Sequence, residues 1–236
     1  MAEIRAIDET RPLKRQSWTK AGPVVSHLDD REIFELEDRA VATIADPTPL
    51  GLWGLATGTW MAGTVIAGVF PQSAMVAVVP VLLVFAGLVQ FIAGLYAFRR
   101  SNVLAATAFC CFGSFNATAG IIFLLQNRGI LAANGDPVVL LGFLLESFAF
   151  IALALAVAAL RMNTSIVLVL ITLAVGYALG GIPNLANSVG QGGWEVIQAI
   201  GGWFLVASAF FAYYTGAAIV VNSVWNRTVL PLGGEA

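Results

Sequence analysis

Glu146 is the residue of this chain whose type and position most clearly suggest chemistry. It lies inside a long apolar stretch that begins at Val138. A carboxyl group in a hydrocarbon layer is costly unless it faces a cavity, is paired or holds a proton. The sequence therefore predicts a proton or polar site at Glu146. The alternative is that Glu146 faces a neighbouring subunit or reaches the outer membrane interface.

No other residues have the spacing of a catalytic or metal centre. His27 is the single histidine, and Cys110 and Cys111 are adjacent, which suits neither a zinc site nor an unstrained disulfide. The patterns of a phosphate-binding loop and of a nucleophile triad are also missing. We therefore expect no enzymatic activity, no cofactor and no metal, and we expect the two cysteines to be buried thiols.

Two sets of small residues recur at four-residue spacing. They are Gly54 with Gly58, and Ser208 with Ala212 and Gly216. Such residues let helix backbones approach closely in a membrane. Helix packing is one interpretation, and space for a passing solute is the other.

The composition places these residues in a membrane protein. Hydrophobic residues make up 58% of the chain and charged residues 11%, and the mean hydropathy is +0.84, whereas soluble domains carry about 25% charged residues. Most of the charges precede Leu50. Basic and aromatic residues do not cluster together, so no nucleic-acid partner is indicated.

Six apolar segments are each long enough to cross about 30 Å of hydrocarbon as a helix. They are Leu50 to Phe70, Ser73 to Phe98, Val103 to Leu125, Val138 to Leu160, Ile166 to Val189, and Trp194 to Val221. They lack the polar and apolar alternation of a membrane barrel. The sequence therefore predicts an all-α membrane protein with six transmembrane helices. We expect the fifth helix to break or end irregularly near Gly180 to Asn184, because Pro183 removes a backbone donor.

Basic residues are distributed very unequally between the two sides of the predicted membrane. Eleven of the twelve lie in the tails and the even-numbered loops, and only Arg128 lies on the opposite side. Cytoplasmic loops carry an excess of Lys and Arg, so both termini should be cytoplasmic.

The chain divides into a cytoplasmic tail, residues 1–45, and a transmembrane domain, residues 46–236. Charges, Pro12 and Pro23 predict disorder at the start of the tail. From Ser26 onward, apolar residues such as Ile33 and Leu36 recur at helical spacing. This pattern predicts an amphipathic helix on the membrane surface or on a neighbouring subunit, and the alternative is a solvated linker helix.

Several motifs in this order resemble a known family. The segment Asp46-Pro47-Thr48-Pro49-Leu50-Gly51-Leu52 is similar to the Asn-Pro-Ala-Pro-Leu-Gly-Leu entry motif of the acetate uptake transporter family, the acetate/succinate permeases. The later matches are Gln90 to Gly94, Ala108-Phe109, Phe112 to Phe115, Ala207 to Ala212, and Arg227 to Pro231. Together they cover the chain from Asp46 to its end.

The resemblance implies a six-helix protomer with its own central pore, assembled as a homohexamer in the inner or plasma membrane. It also implies transport of acetate, with succinate as a further substrate, by a channel or by proton coupling. The entry motif corresponds to Asp46, Pro47, Pro49 and Gly51. The other implied partners are the lipid bilayer and related small solutes.

The family resemblance also implies an apolar constriction built by the first, third and fifth helices. Alignment through the motifs places it at Leu55, Phe112 and Leu173. The small residue of the sixth helix that affects substrate size aligns with Ala212. An apolar constriction suits a solute that sheds its charge, because a bare carboxylate is costly in a low dielectric.

Four positions depart from the family pattern. Asp46 replaces an asparagine, Phe112 replaces the constriction tyrosine and so lacks its hydroxyl, Ala97 replaces an acid, and Glu146 replaces an apolar residue. Asp46 and Phe112 weaken the case for a carboxylate and leave open a channel for urea or short amides with a similar hexameric architecture. A further alternative is a membrane scaffold or sensor that transports nothing and whose tail binds a cytosolic partner.

Overall fold

The computed structural model describes residues 44–189 and 192–234, and within them the chain is all-α. The predicted tail structure lies outside these residues. Six helices follow one another: α1 (Thr48–Ile66), α2 (Gln72–Arg99), α3 (Val103–Asn127), α4 (Asp136–Ala159), α5 (Thr164–Leu185) and α6 (Trp194–Trp225). The predicted number and order of helices are confirmed. The cytoplasmic location of the termini stays a prediction.

Helix ends differ from the predicted ones where glycine and proline intervene. α1 ends at Ile66 rather than Phe70, and Gly68, with a φ of 79°, turns the chain. α5 does not break at Gly180, but the predicted end near Gly180 to Asn184 is confirmed, because the helix passes through Pro183 and ends at Leu185. The Asn184 side-chain amide donates to the Gly180 carbonyl at 2.7 Å within this last turn.

α2 is a composite helix. It begins with a 3₁₀ turn at Gln72–Ala74, carries Pro80 in its first α-helical part, and widens into a π-helical turn at Val84–Val89. Turns of this kind occur mostly as single insertions and often accompany functional sites. No residue pattern in this apolar segment indicates the turn.

Five of the six helices, α2 to α6, are long and apolar enough to cross a membrane. α1 is a shorter helix of 19 residues, rich in glycine and threonine. More than half of its residues are buried against other helices, so it needs fewer strongly apolar side chains. α1 is therefore a central helix of the bundle.

The helices are arranged so that α1 packs on both α2 and α6, α5 packs on α4 and α6, and α2 packs on α3. Small residues permit the closest approaches: a Cβ on Gly54 would lie 2.9 Å from the Phe85 carbonyl oxygen, and one on Gly216 would lie 2.5 Å from the Trp53 ring. These contacts support the packing interpretation of both positions. Cys110 and Cys111 are free thiols, as predicted, but they are half-buried rather than fully buried.

Candidate solute pathway

A cavity of about 170 Å³, cavity I, opens at the end of the bundle where α1, α3 and α5 begin. Asp46, Asn102 and Asn163 line its mouth, and its deeper wall is apolar. Each of these side chains accepts a hydrogen bond from the backbone N–H of a helix start. The distances are 2.9 Å from Thr48, 3.1 Å from Ala105 and 3.0 Å from Ile166.

The electrostatics of cavity I have two opposing parts. The N-termini of three helices carry partial positive charge toward its mouth, which favours a polar or anionic solute. The side chain of Asp46, also at the mouth, is an acid set against those dipoles. The asparagine that the family pattern has at this position could cap α1 equally well and would carry no charge.

The C-terminal segment holds one wall of cavity I. Leu232 lines the cavity, and its carbonyl accepts from the Ser165 N–H at 3.1 Å and from the Ser165 hydroxyl at 2.8 Å. The Tyr214 hydroxyl donates to the Pro231 carbonyl at 2.6 Å. These hydrogen bonds hold the segment at Pro231 and Leu232 against the start of α5.

A larger cavity of about 420 Å³, cavity II, lies at the opposite end of the bundle. Its outer lining includes Gln72, Gln126 and Gln198, and its deeper lining includes Thr59 and Asn116. Among the described residues that line it, none carries a charge. Cavity II is therefore polar but uncharged.

Leu55 and Phe112 line cavity I on the side that faces cavity II, and Leu173 lines neither cavity. We call these three residues the partition. They are 3%, 1% and 0% exposed and belong to one buried apolar cluster. Three positions earlier on each helix, the side chain lines cavity I; these residues are Leu52, Phe109 and Leu170. Three positions later, the residue lines cavity II; these residues are Gly58, Phe115 and Gly176. The aligned constriction residues thus occur where the two cavities approach each other.

Three aromatic rings, those of Phe115, Phe148 and Tyr177, form a cluster with the Phe112 ring of the partition. The Phe115 ring centroid lies 4.6 Å from that of Phe148 and 4.8 Å from that of Tyr177. The Phe112 ring lies 6.1 Å and 6.3 Å from the same two rings. These are typical spacings of favourable aromatic pairs, so the rings hold α3, α4 and α5 together around the partition.

Ala212 is fully buried in the same apolar cluster as the partition. It does not line either cavity. One turn earlier on α6, the Ser208 hydroxyl donates to the Val169 carbonyl of α5 at 2.8 Å. Ala212 therefore lies within the packing of the helices and not in the wall of either cavity.

Glu146 lies outside both cavities. Its carboxyl group packs on Gly181 of α5, where a side chain would collide with it. One carboxyl oxygen is buried and has no hydrogen-bond partner in the described part of the chain. The neighbouring Leu145, not Glu146, lines cavity II.

Sequence reasoning missed Tyr177, Thr59 and Asn116, all of which line cavity II. Tyr177 and Asn116 are polar residues within predicted membrane segments, and that alone could have marked them. Gln90, the first residue of the motif Gln90 to Gly94, is fully buried beside Asn116. Its contact with Asn116 depends on the rotation of α2 against α3.

A bundle of apolar helices with a cavity at each end and an apolar partition between them has the architecture of a channel or transporter. The chain belongs to the GPR1/FUN34/yaaH family, whose model matches residues 34–232. This confirms the resemblance to the acetate uptake transporters.

Relatives of the chain include the succinate-acetate/proton symporter SatP of Escherichia coli strain K12, which is 28% identical over 190 residues. That alignment covers 80% of this chain and 96% of SatP. The ammonia transport outward protein 2 of Saccharomyces cerevisiae is 31% identical, covering 75% of this chain and 62% of the yeast protein. The solved structure of the bacterial acetate channel SatP matches with a TM-score of 0.72 and 28% identity, covering 81% of this chain and all of that one.

Proposed function

We propose that the protein is a channel or transporter for small monocarboxylates, with acetate as its main substrate. The observation that carries the proposal is the partition of Leu55, Phe112 and Leu173 between cavities I and II. A solute that moves between the cavities must pass an apolar layer of about one side chain from each of three helices. The names of the bacterial relatives point to the same class of solute.

The partition favours the undissociated acid over the anion. Moving an ionised carboxylate out of water is costly unless a cation or several donors compensate it. No charged side chain of the described residues lines cavity II. Passage of acetic acid as a neutral molecule is equivalent to symport of one acetate with one proton. Succinate needs two protons to become neutral, so we expect it to be carried more slowly.

The assembly we propose is a homohexamer in the inner or plasma membrane, with both termini in the cytoplasm. Large apolar side chains such as Phe143, Phe150 and Phe210 are exposed on the outside of the single chain. They suit contact with lipid or with a neighbouring protomer. The basic residues support the orientation.

A panel of solutes in proteoliposomes tests the function. Purified protein is reconstituted, and uptake of labelled formate, acetate, lactate, succinate, urea and ammonium is compared with uptake by protein-free vesicles. We expect acetate to give the largest increase over protein-free vesicles and urea to give none. Urea uptake without acetate uptake would establish a short-amide channel instead, and no uptake of any solute would favour a scaffold or sensor.

A further inference from the structure

Two amide side chains are buried together beside the partition. Gln90 of α2 is 0% exposed and Asn116 of α3 is 3% exposed. The Asn116 Nδ2 donates to the Gln90 Oε1 at 3.1 Å and to the Ala86 carbonyl oxygen at 3.3 Å. Buried amides need such partners, because an unpaired one loses its hydrogen bonds to water.

The Ala86 carbonyl fixes which way the Asn116 amide points. A carbonyl oxygen can only accept a hydrogen bond, so the nitrogen of Asn116 must face it. Ala86 lies in the π-helical turn of α2, and the amide of Gln90 then presents its own oxygen to the same nitrogen. Asn116 is therefore oriented by two acceptors on α2.

The oxygen of that amide, Asn116 Oδ1, makes neither of these hydrogen bonds and can accept one from a solute in cavity II. It points toward α1, where a Cβ on Gly58 would lie 3.9 Å from it, and both residues line cavity II. The next residue on α1, Thr59, also lines the cavity and is 5% exposed. Its hydroxyl has no partner within the described ranges. The wall of the deep part of cavity II thus holds an acceptor and a buried hydroxyl that lacks a partner among the described residues.

We propose that Asn116 and Thr59 form a binding station for the undissociated carboxylic acid, and that Gln90 positions Asn116 for it. The acid O–H donates to Asn116 Oδ1, and the acid carbonyl accepts from the Thr59 hydroxyl. A carboxylate has acceptors only and meets the lone pairs of Asn116 Oδ1. The inference rests on the proposed function and names the chemical form of its substrate.

The test is acetate uptake into proteoliposomes at fixed pH, with the membrane potential set to either sign by a potassium gradient and valinomycin. A potential of about 100 mV shifts the equilibrium distribution of a single charge about fiftyfold. We expect uptake by the parent protein to be the same at both potentials. Faster uptake when the vesicle interior is positive than when it is negative would show that the anion crosses. That result would overturn the inference but would leave acetate transport itself established. A parent protein without acetate uptake would overturn both.

Substitutions locate the station. Thr59→Val removes the proposed donor, and Asn116→Leu removes the proposed acceptor together with the two hydrogen bonds that Asn116 donates to α2. Both changes keep the branching of the side chain, and we expect each to lower acetate uptake roughly fivefold. The matched control is Thr118→Val, which removes an exposed hydroxyl of α3 that is bonded to its own helix at 2.8 Å. Size-exclusion chromatography checks that every variant assembles as the parent does. If Asn116→Leu and Thr59→Val both take up acetate at the rate of the parent protein, the station is refuted.

The positioning role of Gln90 is tested by a double-mutant cycle. Gln90→Met removes the acceptor that faces the Asn116 nitrogen. We expect it to lower uptake in the parent protein and to have no further effect in the Asn116→Leu background, because coupled residues are not additive. Additive losses would show that Gln90 acts only on helix packing.

Discussion

Replacing Phe112 with alanine should remove the central part of the partition. The Phe112 ring is 1% exposed and faces the rings of Phe148 and Tyr177 at 6.1 and 6.3 Å. Its loss leaves a void between cavities I and II. Phe→Ala changes in protein cores lower the free energy of unfolding by about 3–5 kcal/mol. We expect the low end, about 3 kcal/mol, because in a membrane protein the ring would leave the core for lipid and not for water.

The opened partition should also change selectivity. Without the ring, the two cavities form one wetter space, so larger acids such as lactate and butyrate should gain uptake at least tenfold relative to acetate, which corresponds to about 1.4 kcal/mol of barrier. The assay compares uptake of the three labelled acids into vesicles and the thermal unfolding of the protein in detergent. Phe150→Ala, which removes a 72% exposed ring from α4, is the control and should keep the parent ratios. Unchanged ratios in Phe112→Ala would refute a partition at this residue.

Two further substitutions separate packing from transport. Gly51→Ala should lower the stability of the protein by about 1–3 kcal/mol, because its Cβ would lie 2.5 Å from the Phe109 ring. A thermal unfolding scan checks this, and an equal effect of Gly193→Ala, where a Cβ meets nothing within 4 Å, would contradict it. Glu146→Gln should leave acetate uptake and its pH dependence within about twofold, a barrier change well under 1 kcal/mol, since Glu146 lines neither cavity. A tenfold loss in the uptake assay would make Glu146 part of the pathway.

The helices could be predicted from the sequence because each is a long apolar run, and the lipid core leaves a spanning chain few alternatives. Their irregularities could be predicted only in part. Pro183 indicates an irregular helix end, and α5 ends two residues later, at Leu185. The π-helical turn at Val84–Val89 adds no recognisable residue type, since its residues are as apolar as those around it.

The residues of the solute pathway could also be predicted only in part. Leu55, Phe112 and Leu173 were found by matching motifs, and not by periodicity, because apolar residues facing a cavity look the same as those facing lipid. Tyr177 and Asn116 were missed because no motif singled out their chemical role. Their neighbours depend on how α3 and α5 are rotated, which no local pattern records. The rotation of α4 likewise places Glu146 against Gly181 and outside both cavities.

The most direct measurement is acetate uptake by vesicles containing the parent protein or the Leu173→Trp variant. Leu173 is 0% exposed between the cavities, so an indole ring at this position should close the partition. We predict that the parent raises uptake above protein-free vesicles and that the correctly assembled variant does not. Equal uptake by both proteins, or none by the parent, would contradict a solute pathway through Leu55, Phe112 and Leu173.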